Sequence, residues 1–173
     1  MALRKNSKSF IKWSLYAVIL IILYALQTTP HFLEIGKIKP FLMLPLAVCI
    51  SLYESEIGSG VFGLITGFLW DFSSGKIFGF YGIVIMICCV TITLLSMYLV
   101  RVNIINAVLT VTAVCLILSA WDFVFYYLIW GYENVMLSFW QLILSSLYTV
   151  FFAPFFYLVV RRITCNYSDT VRN

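Results

Sequence analysis

Charge is what this sequence has least of. Of 173 residues only eleven are Lys or Arg and seven are Asp or Glu, about a tenth of the chain, where a soluble domain carries about a quarter. Hydrophobic residues make up 63%. A soluble globule of this size must cover its surface with hydratable side chains, and so few charges cannot do it. An ordinary soluble fold is excluded. A separate soluble catalytic domain goes with it, because at about 20 residues per transmembrane helix the length is taken up by five or six spans and their turns.

Histidine is scarcer still, with His31 alone. The five cysteines show no CxxC spacing, and Cys88 and Cys89 are neighbours that point to different helix faces, so no structural zinc site or disulfide framework is expected. Cys49, Cys88, Cys89 and Cys115 lie in apolar runs and read as small buried apolar residues, while Cys165 lies near the basic C-terminal end. Neither HExxH nor GxSxG occurs, and no nucleophile has a base beside it. Asp71 and Asp122 meet the requirement of an intramembrane aspartyl protease only formally, since neither has a motif around it. Neither enzyme chemistry, nor a cofactor, nor a metal is expected. Nucleic-acid binding would need a basic face interleaved with stacking aromatics, whereas here the aromatics sit in the apolar runs. The solvent and first partner of this chain is the lipid bilayer.

What is present is a series of apolar runs separated by short polar turns. They place spans at residues 13–26, 35–53, 57–72, 77–100, 104–130 and 139–160, a single all-α integral membrane domain over 1–173. The second is the shortest: its core, 41–53, covers about 20 Å of a hydrocarbon layer near 30 Å. Starting at Ile35, with Lys37 and Lys39 snorkelling, makes it long enough, and Pro45 then kinks the helix. Folding 41–72 as one re-entrant unit gives a five-span alternative. Arg4, Lys5, Lys8, Lys12, Arg101, Arg161, Arg162 and Arg172 fall on one side of the six-span arrangement and Lys37, Lys39 and Lys76 on the other. Cytoplasmic ends collect Lys and Arg, so both termini are expected in the cytoplasm.

Seven of the nine glycines lie between Glu54 and Gly82. Ser59, Gly63, Gly67 and Asp71 fall at every fourth position, with Gly60 beside them and Gly75 and Gly79 continuing the count. On a helix these make one smooth face, opposite the bulky Val61, Phe62, Leu64, Ile65, Phe68 and Leu69, with Trp70 the exception on the small-residue side. Helices in lipid associate by close backbone approach at such faces, either within the chain or against a partner. Asp71, at the end of the stripe, reads as a turn-former or as a partner-binding group. Asp122, inside an apolar run, is the intramembrane polar candidate. With Gln27 and Gln141 it falls toward the outer leaflet among aromatics that suit an interfacial belt, or the rim of a small ligand pocket.

The ordered set Lys39-Pro40, short apolar helix, Tyr53-Glu54, Gly60-x-x-Gly63-x-x-x-Gly67-x-x-x-Asp71-x-x-x-Gly75-x-x-x-Gly79 resembles the signature region of MreD, the rod shape-determining membrane protein family of bacteria. It departs at Phe41, where a small polar or acidic residue is expected. The resemblance covers about a quarter of the chain. It implies a non-enzymatic subunit of the cell-elongation machinery in the cytoplasmic membrane. That subunit would work with MreC, the MreB filament, the glycosyltransferase RodA and a class-B penicillin-binding protein in peptidoglycan synthesis. It also implies a six-helix bundle resembling the substrate-binding subunits of energy-coupling-factor transporters, which supplies the alternative function, vitamin or metal uptake. Those subunits dock their energising partner through an Ala-x-x-x-Ala patch on the first helix. Here Ala17 and Ala25 stand eight apart with Ile21 between them, which favours the shape-determining reading.

Overall fold

A computed structural model describes residues 2–29, 39–74, 79–98, 102–124 and 135–167. These form six helices and, among the described residues, no strand: α1 (Ala2–Thr28), α2 (Met43–Ser51), α3 (Glu56–Ser74), α4 (Phe80–Tyr98), α5 (Ile104–Asp122) and α6 (Val135–Tyr167). Four stretches, Ser9–Thr28, Phe80–Tyr98, Ile104–Asp122 and Trp140–Tyr167, are long and apolar enough to cross a membrane. α3 matches α4 in length at 19 residues, but four glycines, three serines and Asp71 dilute its apolar character.

Of the expected span over 35–53, residues 35–38 lie outside the described residues and α2 occupies Met43–Ser51. Residues 39–42 are not α-helical, and α2 is only nine residues long, about 13 Å of helix. All nine of its residues are buried, because the helix lies on the axis of the bundle and packs against each of the other five. The physical reason is composition: MLPLAVCIS has no charge and no side too polar to be covered, so it is as well solvated by other helices as by lipid. Pro45 sits in the first turn, where its missing N–H has no helical partner to lose. Of the expected span 104–130, the α-helix covers Ile104–Asp122 and Phe123 and Val124 form a wider π turn; residues 125–130 lie outside the described residues.

A short helix enclosed by other helices must have its end groups satisfied by them. At its C-terminal end, Thr93 Oγ1 of α4 lies 2.8 Å from the Ser51 carbonyl oxygen, and Ser96 donates to the Leu52 carbonyl at 3.3 Å. At the other end, the Phe41 N–H donates to Thr149 Oγ1 of α6 at 2.9 Å, and Ser145 donates to the Lys39 carbonyl at 2.6 Å. Around this axis α3 pairs with α4, α5 with α6, and α1 bridges α3 and α6.

Candidate functional site

The α3–α4 hairpin is built on the small-residue face. At Gly67 an added Cβ would stand 2.4 Å from Gly82 Cα and 2.6 Å from the Tyr81 carbonyl oxygen, so the two backbones touch there. At Gly63 it would meet Cys89 Sγ at 2.8 Å and the Ile85 carbonyl oxygen at 3.2 Å. At Gly60 it would meet side chains alone, Val90 Cγ2 at 3.0 Å and Met86 Cγ at 3.9 Å. Ser59, fully buried, puts its Oγ 2.7 Å from Thr93 Oγ1. The stripe is therefore occupied by α4 of the same chain. Gly58, one step round the helix, receives the Trp13 ring of α1, whose atoms would lie 2.8–2.9 Å from a Cβ.

Asp71 closes the hairpin. Its residue is 2% exposed, and its carboxylate accepts from the N–H groups of Gly79 (2.8 Å), Tyr81 (3.3 Å) and Gly82 (3.3 Å). These are donors of the first turn of α4, which have no helical acceptor. Gly79 precedes α4 with φ of 88°, a left-handed conformation suited to glycine, and as glycine it has no side chain to cap with. Asp71 supplies that cap from the neighbouring helix, with its charge at the favourable end of the α4 dipole. Gly75 and Lys76 lie outside the described residues.

Trp70 stands out from the stripe because it faces elsewhere: its ring stacks on Phe41 at 4.0 Å between centroids and 26° between planes. Both line a cavity of about 90 Å³ over the start of α2, walled by α3, α4, α5 and α6. Asp122 is on its wall, with Ser119 and Ser146, whose hydroxyls are 2.7 Å apart. Trp70 Nε1 is buried and has no hydrogen-bond partner among the described residues, and the same holds for both amide atoms of Gln27 on α1. Gln141 is half-buried on α6 and does not line the cavity.

At the opposite end of the bundle is a cluster whose pairing no motif announced. Lys12 of α1 pairs with Glu54 after α2, Nζ to Oε1 at 2.8 Å and to Oε2 at 2.9 Å, with side chains 11% and 8% exposed. Tyr16, fully buried, donates to Glu54 Oε1 at 3.4 Å and lies 2.9 Å from Thr164 Oγ1 of α6. This cluster ties α1, the α2–α3 turn and α6 together. Lys12 reads in the sequence as a topogenic charge and Glu54 as part of the Tyr53-Glu54 step of the signature set, and 42 residues separate them. The available signal was an interior row on α1, Lys12, Tyr16, Leu20 and Leu23, which puts the lysine on the bundle side.

Among the described residues no group of three His, Cys, Asp or Glu could hold a metal ion. Fold and geometry together define a polytopic helical membrane protein in which several buried polar groups, Lys12, Glu54, Ser59, Asp71 and Thr93 among them, join one helix to another. The chain belongs to the family of the rod shape-determining protein MreD, whose family model matches residues 7–163. No curated protein and no solved structure matches it.

Proposed function

We propose that this chain is a non-enzymatic scaffold subunit of the bacterial cell-elongation machinery. It resides in the cytoplasmic membrane with both termini inside and supports peptidoglycan synthesis through contact with an MreC-like protein. RodA, a class-B penicillin-binding protein and the MreB filament belong to the same complex in this reading. The observation that carries it is the family match over 7–163, nearly the whole chain, to a shape-determining family. The packing adds a direction. With Gly60, Gly63 and Gly67 covered by α4, a partner must be met on faces that remain open. One such face is on α6, where Leu147, Phe151, Phe155 and Leu158 form one exposed row, Phe151 at 77%.

The transporter alternative asks for a cavity that holds a vitamin. The cavity described above, at about 90 Å³, is smaller than the roughly 150 Å³ that holds a single benzene ring, so it does not support a vitamin at that place. The test is recovery of a one-span, coiled-coil MreC-like protein with the full chain solubilised in mild detergent. Replacement of Phe151 and Phe155 by Ala is expected to reduce that recovery at least fivefold with thermal unfolding unchanged. Absence of such a protein from the wild-type preparation overturns the reading, and a copurifying vitamin or transition metal restores the transporter.

A further inference from the structure

The cations at the Lys12–Glu54 end of the bundle fall into two kinds. Lys12 is neutralised within the chain, 2.8 Å from the Glu54 carboxylate. Arg161 and Arg162 of α6 are both exposed, and among the described residues neither guanidinium has a carboxylate partner. Glu56, exposed at the start of α3, pairs with neither of them. Successive helix positions point about 100° apart. Arg161 therefore turns toward Tyr53, near enough for its charge to act on that hydroxyl, while Arg162 continues the exposed row of Phe155 and Leu158. The two charges flank one strip of α6.

Depth narrows what can compensate them. Tyr16 and Thr164, with hydroxyls 2.9 Å apart, set α1 and α6 level, and both lie within stretches long and apolar enough to cross a membrane, Ser9–Thr28 and Trp140–Tyr167. The second of these has 28 residues, about 42 Å of helix, which matches a hydrocarbon core with both headgroup layers. Arg161 and Arg162 stand about 8 Å inside its end, at the base of the headgroup layer. A soluble acidic protein does not reach that depth, whereas the phosphate of a phospholipid is already there. The exposed apolar row inward of Arg162 suits the acyl chains of any lipid, so selection falls to charge. A guanidinium takes phosphate oxygens in a bidentate pair. In a zwitterionic headgroup the lipid's own ammonium offsets that phosphate; in an anionic one nothing does. We infer that Arg161 and Arg162 bind the phosphate of an anionic phospholipid in the leaflet at this end of the bundle. This goes beyond the scaffold function and does not depend on it.

The full chain, delipidated in detergent, is offered an equal mixture of phosphatidylglycerol and chain-matched phosphatidylcholine, and retained lipid is counted by native mass spectrometry. The wild type should prefer phosphatidylglycerol at least fivefold, and Arg161→Gln with Arg162→Gln should bring that below twofold. The single variants decide if the double variant does not fold, each expected to cut the preference at least by half. Arg4→Gln, Lys5→Gln and Lys8→Gln together, which remove the other charges of the N-terminal segment, should leave most of the preference in place. Equal retention of the two lipids by the wild type overturns the inference. So does a preference that the arginine variants leave unchanged, or one that the N-terminal variant abolishes. A heptaglutamate peptide that binds the lipid-free protein and is lost in the arginine variants would assign a soluble acidic partner instead, and would also overturn it.

Discussion

Asp71 caps a helix to which it does not belong, and three first-turn amides of α4 depend on that one carboxylate. Hydrogen bonds to a charged group contribute about 1.5–3 kcal/mol each before non-additivity. Asp71→Ala should therefore destabilise the bundle by about 3 kcal/mol, and Asp71→Asn, which keeps an acceptor but loses the charge, by about 1 kcal/mol. Hydrogen exchange in detergent provides the check: protection at Gly79, Tyr81 and Gly82 should fall first, while α5 and α6 keep theirs. Loss spread evenly over all helices would show that Asp71 does not act as a local cap.

The glycines of α3 are not equivalent, and the difference lies in what each faces. At Gly67 the obstacle is backbone, Gly82 Cα at 2.4 Å, whereas at Gly60 it is the end of a side chain, Val90 Cγ2 at 3.0 Å. A side chain can rotate away; a helix backbone must move as a whole. Gly67→Ala should cost about 3 kcal/mol or more through overpacking, and Gly60→Ala less than about 1 kcal/mol, a difference readable in thermal unfolding of the detergent-solubilised protein. Equal effects would contradict backbone contact at Gly67.

At the scale of the element, the Lys12–Glu54 pair holds α1 against the turn between α2 and α3. Removing one partner of a buried pair leaves the other charge uncompensated, at a cost of about 3–5 kcal/mol, whereas removing both is much better tolerated. Lys12→Met alone should lower stability by about 3 kcal/mol, and adding Glu54→Gln should recover at least half of that. A double-mutant cycle measures this, and strict additivity of the two losses would rule out direct coupling.

The elements also divide by how far the sequence disclosed them. Long apolar runs bounded by charge gave α1, α4, α5 and α6, because hydropathy reports on lipid exposure and these helices have it. The small-residue face of α3 was legible because period 3.6 is a local property of one helix. Its opposing surface was not, since nothing in the spacing of Gly63 and Gly67 says that Ile85 and Cys89 come to meet them. The full burial of α2 escaped for a related reason: an apolar helix reads the same whether lipid or other helices surround it. Lys12 with Glu54, and Asp71 with the start of α4, are pairings across elements, and only the packed bundle brings them within bonding distance.

For the whole molecule, the alternation of six helices about a buried axis puts the Lys12–Glu54 cluster at one end and the cavity with Asp71 at the other. Arg161 and Arg162, both exposed, belong to the first end, as does Cys165. Cys165 is the one exposed cysteine of the five; Cys49, Cys89 and Cys115 are buried and Cys88 is half-buried on a helix suited to crossing the membrane. The native chain thus carries its own topology probe. If both termini are cytoplasmic, a membrane-impermeant maleimide applied to intact spheroplasts should leave the protein unlabelled, and permeabilisation should yield one label, lost in Cys165→Ser. Ser55→Cys, in the turn after α2 and at the same end, should follow the same pattern, being exposed in the structure. Labelling of both from outside would invert the molecule. Opposite behaviour of the two sites would mean that α3 to α6 cross an odd number of times, and would favour the five-span arrangement over the six-span one.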